Sequence, residues 1–533
     1  MIKKRYLISF DINNMRKLET DTLVIGSGVA GLRAAIEAVR YGKVLIVTKD
    51  RLQEGNTFRA QGGIAVVMSQ EDTYEKHIQD TLKVGNGLSN EKAVRILVEE
   101  GPERIRELIK WGANFDKKDG KISFTKEGGH SVRRIIHARG DATGEEVEKT
   151  LILRIQENDN ISILEDTFAI DLVCKNGECF GVIVQLKDKG RMVILAKKTI
   201  LATGGIGQVY RETTNSSVAT GDGMAMAYRA GAELMDMEFV QFHPTTLYIA
   251  GASRALISEV VRGEGGLLRN RYGERFMEKY HKMGELAPRD VVSKGILQEM
   301  KETEDSHVYL DLTHLDPEFL EARFPNIMST CASFGIDIKR RLIPVRPTAH
   351  YMIGGIKIDI WGKTNIQNLY ACGEVACSGL HGANRLGSNS LLEGLVFGYR
   401  AGYHAGKEIK DQVVCVPDIS NTFEHKYHLE ELDIEDVRRS LNSLMWRDVG
   451  IERKEEGLLE AGQKIDFWCS YVMNREFPTR EGLELQNMLT VAKLVQEAAW
   501  KRKESRGVHY RTDYPKKSAK WRKHISFLST EVR

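Results

Sequence analysis

Three glycines near the N-terminus, Gly26, Gly28 and Gly31, are spaced GxGxxG within Asp21-Thr22-Leu23-Val24-Ile25-Gly26-Ser27-Gly28-Val29-Ala30-Gly31. An apolar run that reads as a buried strand leads into them, and a helix-prone stretch, Leu32 to Val39, follows. The pattern suits the holding of a dinucleotide diphosphate. The first glycine permits the tight turn, the second lets the backbone approach the pyrophosphate, and the third lets helix pack on strand. Amides at the helix start then face the negative charge. A bound dinucleotide points to redox chemistry. NAD is disfavoured: after the next strand, Val44-Leu45-Ile46-Val47, the acid that usually binds ribose is replaced by Thr48-Lys49.

Such a turn needs a parallel sheet behind it. Two later segments are placed to complete one: Thr199-Ile200-Leu201-Ala202-Thr203-Gly204-Gly205, a second strand-to-glycine turn, and Asn368-Leu369-Tyr370-Ala371-Cys372-Gly373-Glu374-Val375, a strand ending at an acid. The stretch between them, about 237–352, has its own helical patterns and many charges and reads as an inserted lid. The dinucleotide domain is thus expected in two parts, 1–236 and 353–415. From 416 to 533 the texture is helical. Leu485, Met488, Leu489, Ala492, Val495 and Ala499 recur at helical spacing, which predicts one apolar stripe packed against another helix. The basic tail Lys516-Lys517-Ser518-Ala519-Lys520-Trp521-Arg522-Lys523 reads as a solvated end.

Composition narrows the function classes. A net charge of +3 over 533 residues gives no ground for a nucleic-acid partner. No apolar run approaches the ~20 residues of a membrane span, and the apolar part of the first ten residues is too short for a secretory signal. Seven cysteines, an odd number with no CxxC, argue against a disulfide framework and against a zinc or iron–sulfur site, so no metal is expected. Reduced thiols in a cytoplasmic protein are the simple reading.

The second strand is followed by Gly55-Asn56-Thr57-Phe58-Arg59-Ala60-Gln61-Gly62-Gly63. Further along come Thr220-Gly221-Asp222-Gly223, Gln241-Phe242-His243-Pro244-Thr245, Ala287-Pro288-Arg289-Asp290, His350-Tyr351, and His381 to Ser390 with the core Asn384-Arg385-Leu386-Gly387. In this order they resemble the flavoprotein family of succinate dehydrogenase and fumarate reductase, and Glu504-Ser505-Arg506-Gly507 and Asp513-Tyr514-Pro515 extend the match into the C-terminal part. Two features resemble one branch, the L-aspartate oxidases. Asn56 stands where the dehydrogenases carry the histidine that bonds to the flavin, and an amide cannot form that bond. Lys126-Glu127-Gly128-Gly129-His130-Ser131 resembles the oxidase loop beside the substrate, where Glu127 meets an ammonium that succinate lacks. Two departures are Ser258, where the oxidases usually carry threonine, and Arg346, which is closer to the fumarate reductase pattern.

The resemblance implies an α/β Rossmann-type FAD-binding domain with an inserted α+β capping domain and a C-terminal helical domain. It implies non-covalent FAD, with the diphosphate over Ser27, Gly28, Val29 and Ala30. Lys49 and the Asn56–Gly63 turn (Asn56, Thr57, Phe58, Arg59, Ala60, Gln61, Gly62 and Gly63) would contact ribose, phosphate and ring. Phe168, Ala169 and Asp222 would lie near adenine, and Glu374 on the ribityl hydroxyls. Ser390 and Leu391 would open a helix whose amides face the flavin carbonyl, favouring the reduced ring. Two carboxylates of a dianionic substrate need charged partners: Arg385 and His350 at one end, His243 and Ser258 at the other. Arg289 would transfer the proton, relayed by Glu259 and Arg262; the alternative is a structural Arg289–Asp290 ion pair. The implied reaction takes hydride from Cα of L-aspartate to the flavin, gives iminosuccinate, and passes electrons to oxygen or fumarate. It would open de novo NAD synthesis and feed quinolinate synthase. The alternative is a fumarate reductase or succinate dehydrogenase flavoprotein subunit, docked on an iron–sulfur partner.

Overall fold

The computed structural model describes residues 4–187, 190–251, 254–409, 412–422 and 432–529. Its main sheet runs in the order Ile161–Leu164, Val44–Val47, Lys17–Ile25, Gly190–Leu201, Glu178–Leu186, Thr167–Lys175. The first four are parallel to one another, and the last two add an antiparallel hairpin. The short strand Leu369–Ala371 joins in parallel beside Thr199–Leu201, so a segment far along the chain completes the sheet. Val44–Val47 is buried at every position, as a parallel strand covered on both faces must be.

Two helices lie together over the glycine turn. Val29–Ala38 packs on Asn389–Lys407, where Gly394, Gly398 and Gly402 meet Val29, Ala30 and Ala34. A methyl group on Gly402 would stand 2.2 Å from the Ala34 carbonyl oxygen, so close approach needs glycine. This contact brings the N-terminal end of the second helix, at Ser390 and Leu391, beside the first.

The inserted unit is built on a second, antiparallel sheet in the order Val240–Leu247, Ile343–Met352, Val308–Asp311, Leu267–Arg269. It has its own apolar core, including Val261, Phe276, Ile296, Leu310 and Phe324. Gln241 pairs with Tyr351 and His243 with Thr348 across its first two strands, which sets His243 and His350 close together.

Three helices, Ile434–Asp448, Glu455–Val472 and Arg480–Lys501, form the C-terminal unit. The expected single stripe on the last helix is too narrow. Residues 482–496 are buried at every position, polar ones included, because this helix packs on the other two and on Asp222–Arg229 of the dinucleotide domain. Polar groups inside the stretch find partners: Asn487 donates to Asp222, and Gln486 to the Val472 and Arg475 carbonyls. The chain then leaves the helices. Tyr510–Arg511 pairs with Glu452–Arg453, and Ser526–Phe527 extends a small sheet beside Leu234–Met235. Lys516, Lys517, Lys520, Arg522 and Lys523 are exposed. The N-terminal segment, for which sequence suggests no role, ties units together. The Leu7 amide donates to Asp171, the Ser9 amide to Glu476, and Phe10–Asp11 pairs with Ser420–Asn421. Among the described residues, no helix is long and apolar enough to cross a membrane.

Candidate active site

A cleft opens at the carboxyl ends of the parallel strands, where ligands of open α/β sheets bind. Gly26, Ser27, Gly28, Val29 and Ala30 line it, with Lys49, Asn56, Thr57, Arg59, Ala60, Phe168, Ala169, Asp222, Glu374, Ser390 and Leu391. Sixteen residues expected at the cofactor therefore face one cavity. Gly31, Phe58, Gln61, Gly62 and Gly63 do not line it. Gly31 packs on the Gly26 carbonyl and shapes the turn from behind. The Phe58 ring faces the Lys149 ammonium, 6.0 Å away, and Gly63 is pressed against Ile135, Ile136 and His137.

The cleft suits a dinucleotide by features of its own. Gly28 opens the first helix with no side-chain cap of its own; the Val29 amide donates to the Thr57 hydroxyl at 3.1 Å, and the amides of the following turn point to the cleft end of the helix. Thr203 and Asn215 are among the cleft residues, and their Oγ1 and Oδ1 atoms, packed beside Gly223 and Gly207, are buried with no partner in the protein. Burial raises the Glu374 carboxyl to about 7, against the Met352 amide, which donates to it at 2.8 Å. A neutral acid can share hydrogen bonds with hydroxyls. Lys49 lines the cleft with its ammonium held by Asp222 at 2.6 Å, Thr220 at 2.6 Å and Glu484 at 2.9 Å. It braces the cleft wall against the C-terminal unit, and Asp222 answers it.

His350 and Arg385 also line the cleft, and behind them the remaining candidates converge. Arg289 donates from Nε to Glu259 at 2.6 Å and from Nη1 to the Gln241 side-chain oxygen at 3.1 Å. Arg385 Nε donates to that same oxygen at 3.2 Å. Arg262 lies 3.2 Å from the other Glu259 oxygen. Arg262, Glu259 and Arg289 thus form a continuous buried chain ending near Arg385. The alternative Arg289–Asp290 pair is absent among the described contacts; Asp290 instead accepts from Asn384 at 2.8 Å. The His243 and His350 rings stand 5.1 Å apart. Burial and the neighbouring guanidiniums hold both well below the usual histidine range, so each is a neutral hydrogen-bonding group. His350 Nδ1 is paired with the Thr214 hydroxyl at 2.8 Å, which leaves Nε2 for a ligand. Burial and then Arg289 lower Arg385 to about 10. Ser258 starts the short Glu259–Gly263 helix and is 3% exposed.

Glu127 comes in from the dinucleotide domain at 2% exposure and accepts from the Ser388 hydroxyl at 2.7 Å. Burial raises its pKa and Glu259 adds to that, while Arg289 opposes both. Burial would also raise Glu259, but Arg289 and Arg262 outweigh it and hold Glu259 below the usual range. The two carboxyls are therefore pushed apart: Glu259 is held toward the anion and Glu127 toward the neutral acid.

Several contributors are not singled out by sequence. Gln241 joins two arginines, yet an amide carries no charge to flag it. Ser388 sits in the left-handed region at φ 60°, a cost paid at few non-glycine positions. His130 Nε2 pairs with the Gly387 carbonyl at 3.1 Å, and Arg134 braces that loop through Asp72 and Asp80. Arg346 lies away from the site, stacked over Tyr248 and Trp446 at 4.9 and 5.4 Å, so that departure from the oxidase pattern does not touch the cleft.

Comparison with known proteins agrees with this architecture. Residues 21–391 match the FAD binding domain family and residues 438–532 the fumarate reductase flavoprotein C-terminal family. The chain is 43% identical to the chloroplastic L-aspartate oxidase of Oryza sativa, over 96% of this chain and 84% of the relative. It is 41% identical to the L-aspartate oxidase of Streptomyces coelicolor, over 95% and 91%. Among solved structures, an E. coli quinol fumarate reductase FrdA variant superposes with a TM-score of 0.89 at 32% identity, covering 96% of this chain and 94% of that one. The chain belongs to the L-aspartate oxidases, within the flavoprotein family that includes fumarate reductase.

Proposed function

We propose that the protein oxidises L-aspartate to iminosuccinate at the junction of the cleft and the buried charged cluster, as the first step of de novo NAD synthesis. FAD, when bound non-covalently, supplies the two-electron acceptor. Gly26 to Ala30, Asn56, Thr57, Arg59, Ala60, Glu374 and the helix start at Ser390 would hold it. Arg385 and His350 bind one substrate carboxylate, and His243 and Ser258 the other. Glu127 takes the α-ammonium. Arg289 holds the proton-transfer position, its Nε fixed by Glu259 and its charge shared along the chain to Arg262. Glu259, ion-paired with both Arg289 and Arg262, fixes the orientation of that guanidinium.

The observation that carries the reading is Glu127, a buried carboxyl with no ion pair among the described contacts, whose hydrogen-bond neighbours are the Ser388 hydroxyl and the Gly63 amide. A dicarboxylate without an amine has no use for it. The experiment is anaerobic bleaching of the flavin: L-aspartate reduces it and succinate does not. Reduction by succinate alone would favour a dehydrogenase or fumarate reductase subunit instead. Reoxidation by oxygen or by fumarate completes the cycle, and the product is passed to quinolinate synthase in the cytoplasm.

A further inference from the structure

Glu393 lies one turn into the Asn389–Lys407 helix, 4% exposed, and no step above uses it. Three donors converge on its carboxylate. The Tyr351 hydroxyl is 3.0 Å away, His381 Nε2 2.9 Å, and the Ser378 hydroxyl 3.2 Å. Tyr351 comes from the Ile343–Met352 strand of the capping sheet, and Ser378 and His381 from the one loop that runs from Cys377 towards Arg385. The His381 Nδ1 atom is buried with no partner, so its single bond goes to Glu393.

Tyr351 links this cluster to the substrate. Its ring lies under the Arg385 guanidinium, 4.0 Å from the centroid, and packs edge-on against His381 at 5.5 Å. Arg385 is thus fixed at Nε by Gln241 and from below by an aromatic face. A phenol donating to a carboxylate is richer in electrons, which strengthens the attraction of its ring for a cation. Burial and the Glu393 charge keep the Tyr351 hydroxyl protonated, so it stays a donor.

We propose that Glu393 is a positioning residue for the substrate carboxylate: through Tyr351 it fixes the plane and height of the Arg385 guanidinium. The inference rests on the reading that Arg385 binds a carboxylate. It assigns a job to a buried acid that never meets substrate.

Three variants test it in the FAD-loaded enzyme. Glu393→Gln keeps the volume but leaves one donor poorly served. KM for L-aspartate and for fumarate should rise together, about ten-fold, the scale of a desolvated cation–π contact, while kcat changes less than three-fold and flavin content is unchanged. Tyr351→Phe removes only the hydroxyl and should raise KM similarly. The double variant should be no worse than Tyr351→Phe alone, because Glu393 acts through that hydroxyl. Fully additive losses, or an unchanged KM in Tyr351→Phe, overturn the proposal; the latter decides the matter even if Glu393→Gln fails to fold. Arg385→Lys separates the two readings. If it leaves both KM values intact, the carboxylate assignment is wrong. If it raises them while Tyr351→Phe does not, only the role of Glu393 is lost.

Discussion

Glu127 and Glu259 approach Gly387 from different domains, one from the loop beside the sheet and one from the capping unit. A methyl group on Gly387 would stand 2.9 Å from Glu127 Oε2 and 3.0 Å from Glu259 Oε2, with Arg289 Nη2 at 3.3 Å. Two carboxyls this close and this buried do not ionise independently. Two guanidiniums stabilise Glu259, so Glu127 bears the cost of the shared burial. An incoming ammonium would relieve it. Glu127→Gln therefore should lower kcat/KM for L-aspartate by about a hundred-fold or more, in line with loss of a buried charge partner, while fumarate reduction stays within a few-fold of the parent. Steady-state assays with each substrate read the split, and equal loss of both would remove Glu127 from amine recognition.

Arg289 should be needed by both reactions. Its replacement by leucine leaves Glu259 the Arg262 contact, so the fold and the flavin should be retained. Turnover with aspartate and with fumarate should each fall about 10² to 10⁴-fold, the usual contribution of a positioned acid–base group. Flavin absorbance confirms loading, and stopped-flow reduction measures the step. Ordinary turnover in this variant would route the proton elsewhere.

How far the sequence reveals the site depends on the kind of signal each residue leaves. Glycine turns are legible because their backbone geometry admits few residues: Gly26 has φ 114° and lies against the Ala202 carbonyl. Charged residues within motifs are legible as well, and the structure brings Glu127, Arg289 and Arg385 together across more than 250 positions of chain. The partners of Lys49 are not legible in this way, since its ammonium is claimed by Glu484, 435 positions away, which no local pattern announces. The stripe on the last helix fails for a similar reason. Periodicity reports one buried face, but Gln486, Asn487 and Gln496 are buried through specific hydrogen bonds, which hydrophobic spacing does not encode.

Gly31 should be more sensitive than its distance from the cleft suggests. An added methyl group would lie 2.1 Å from the Gly26 carbonyl oxygen and 3.2 Å from the Ala202 side chain. The helix would have to move off the strand, taking its open amides with it. Gly31→Ala is expected to purify with little or no flavin and to bind added FAD at least ten-fold more weakly. Flavin fluorescence quenching on titration measures this, and full occupancy would show that the turn can absorb the shift.

Glu148 offers a test of stability separate from catalysis. It lies fully buried on the Thr143–Gln156 helix, and neither carboxyl oxygen has a partner. Burial alone raises it to about 8 from an ordinary 4.5. In the unfolded chain the group ionises near 4.5, whereas in the folded protein it keeps its proton until about pH 8. Folding is therefore unpenalised below the lower value. The penalty grows as pH rises between the two and is complete above the higher one, where it reaches the order of a few kcal/mol. Glutamine mimics the neutral acid in size and cannot ionise. Glu148→Gln should melt within about 2 °C of the parent at pH 5 and several degrees above it at pH 8.5, given roughly 2–4 °C per kcal/mol for large domains. Thermal melts of the loaded enzyme across that range provide the measurement. A difference from the parent that is equal at both pH values would mean that the Glu148 carboxyl does not titrate differently in the folded and unfolded chain over this range.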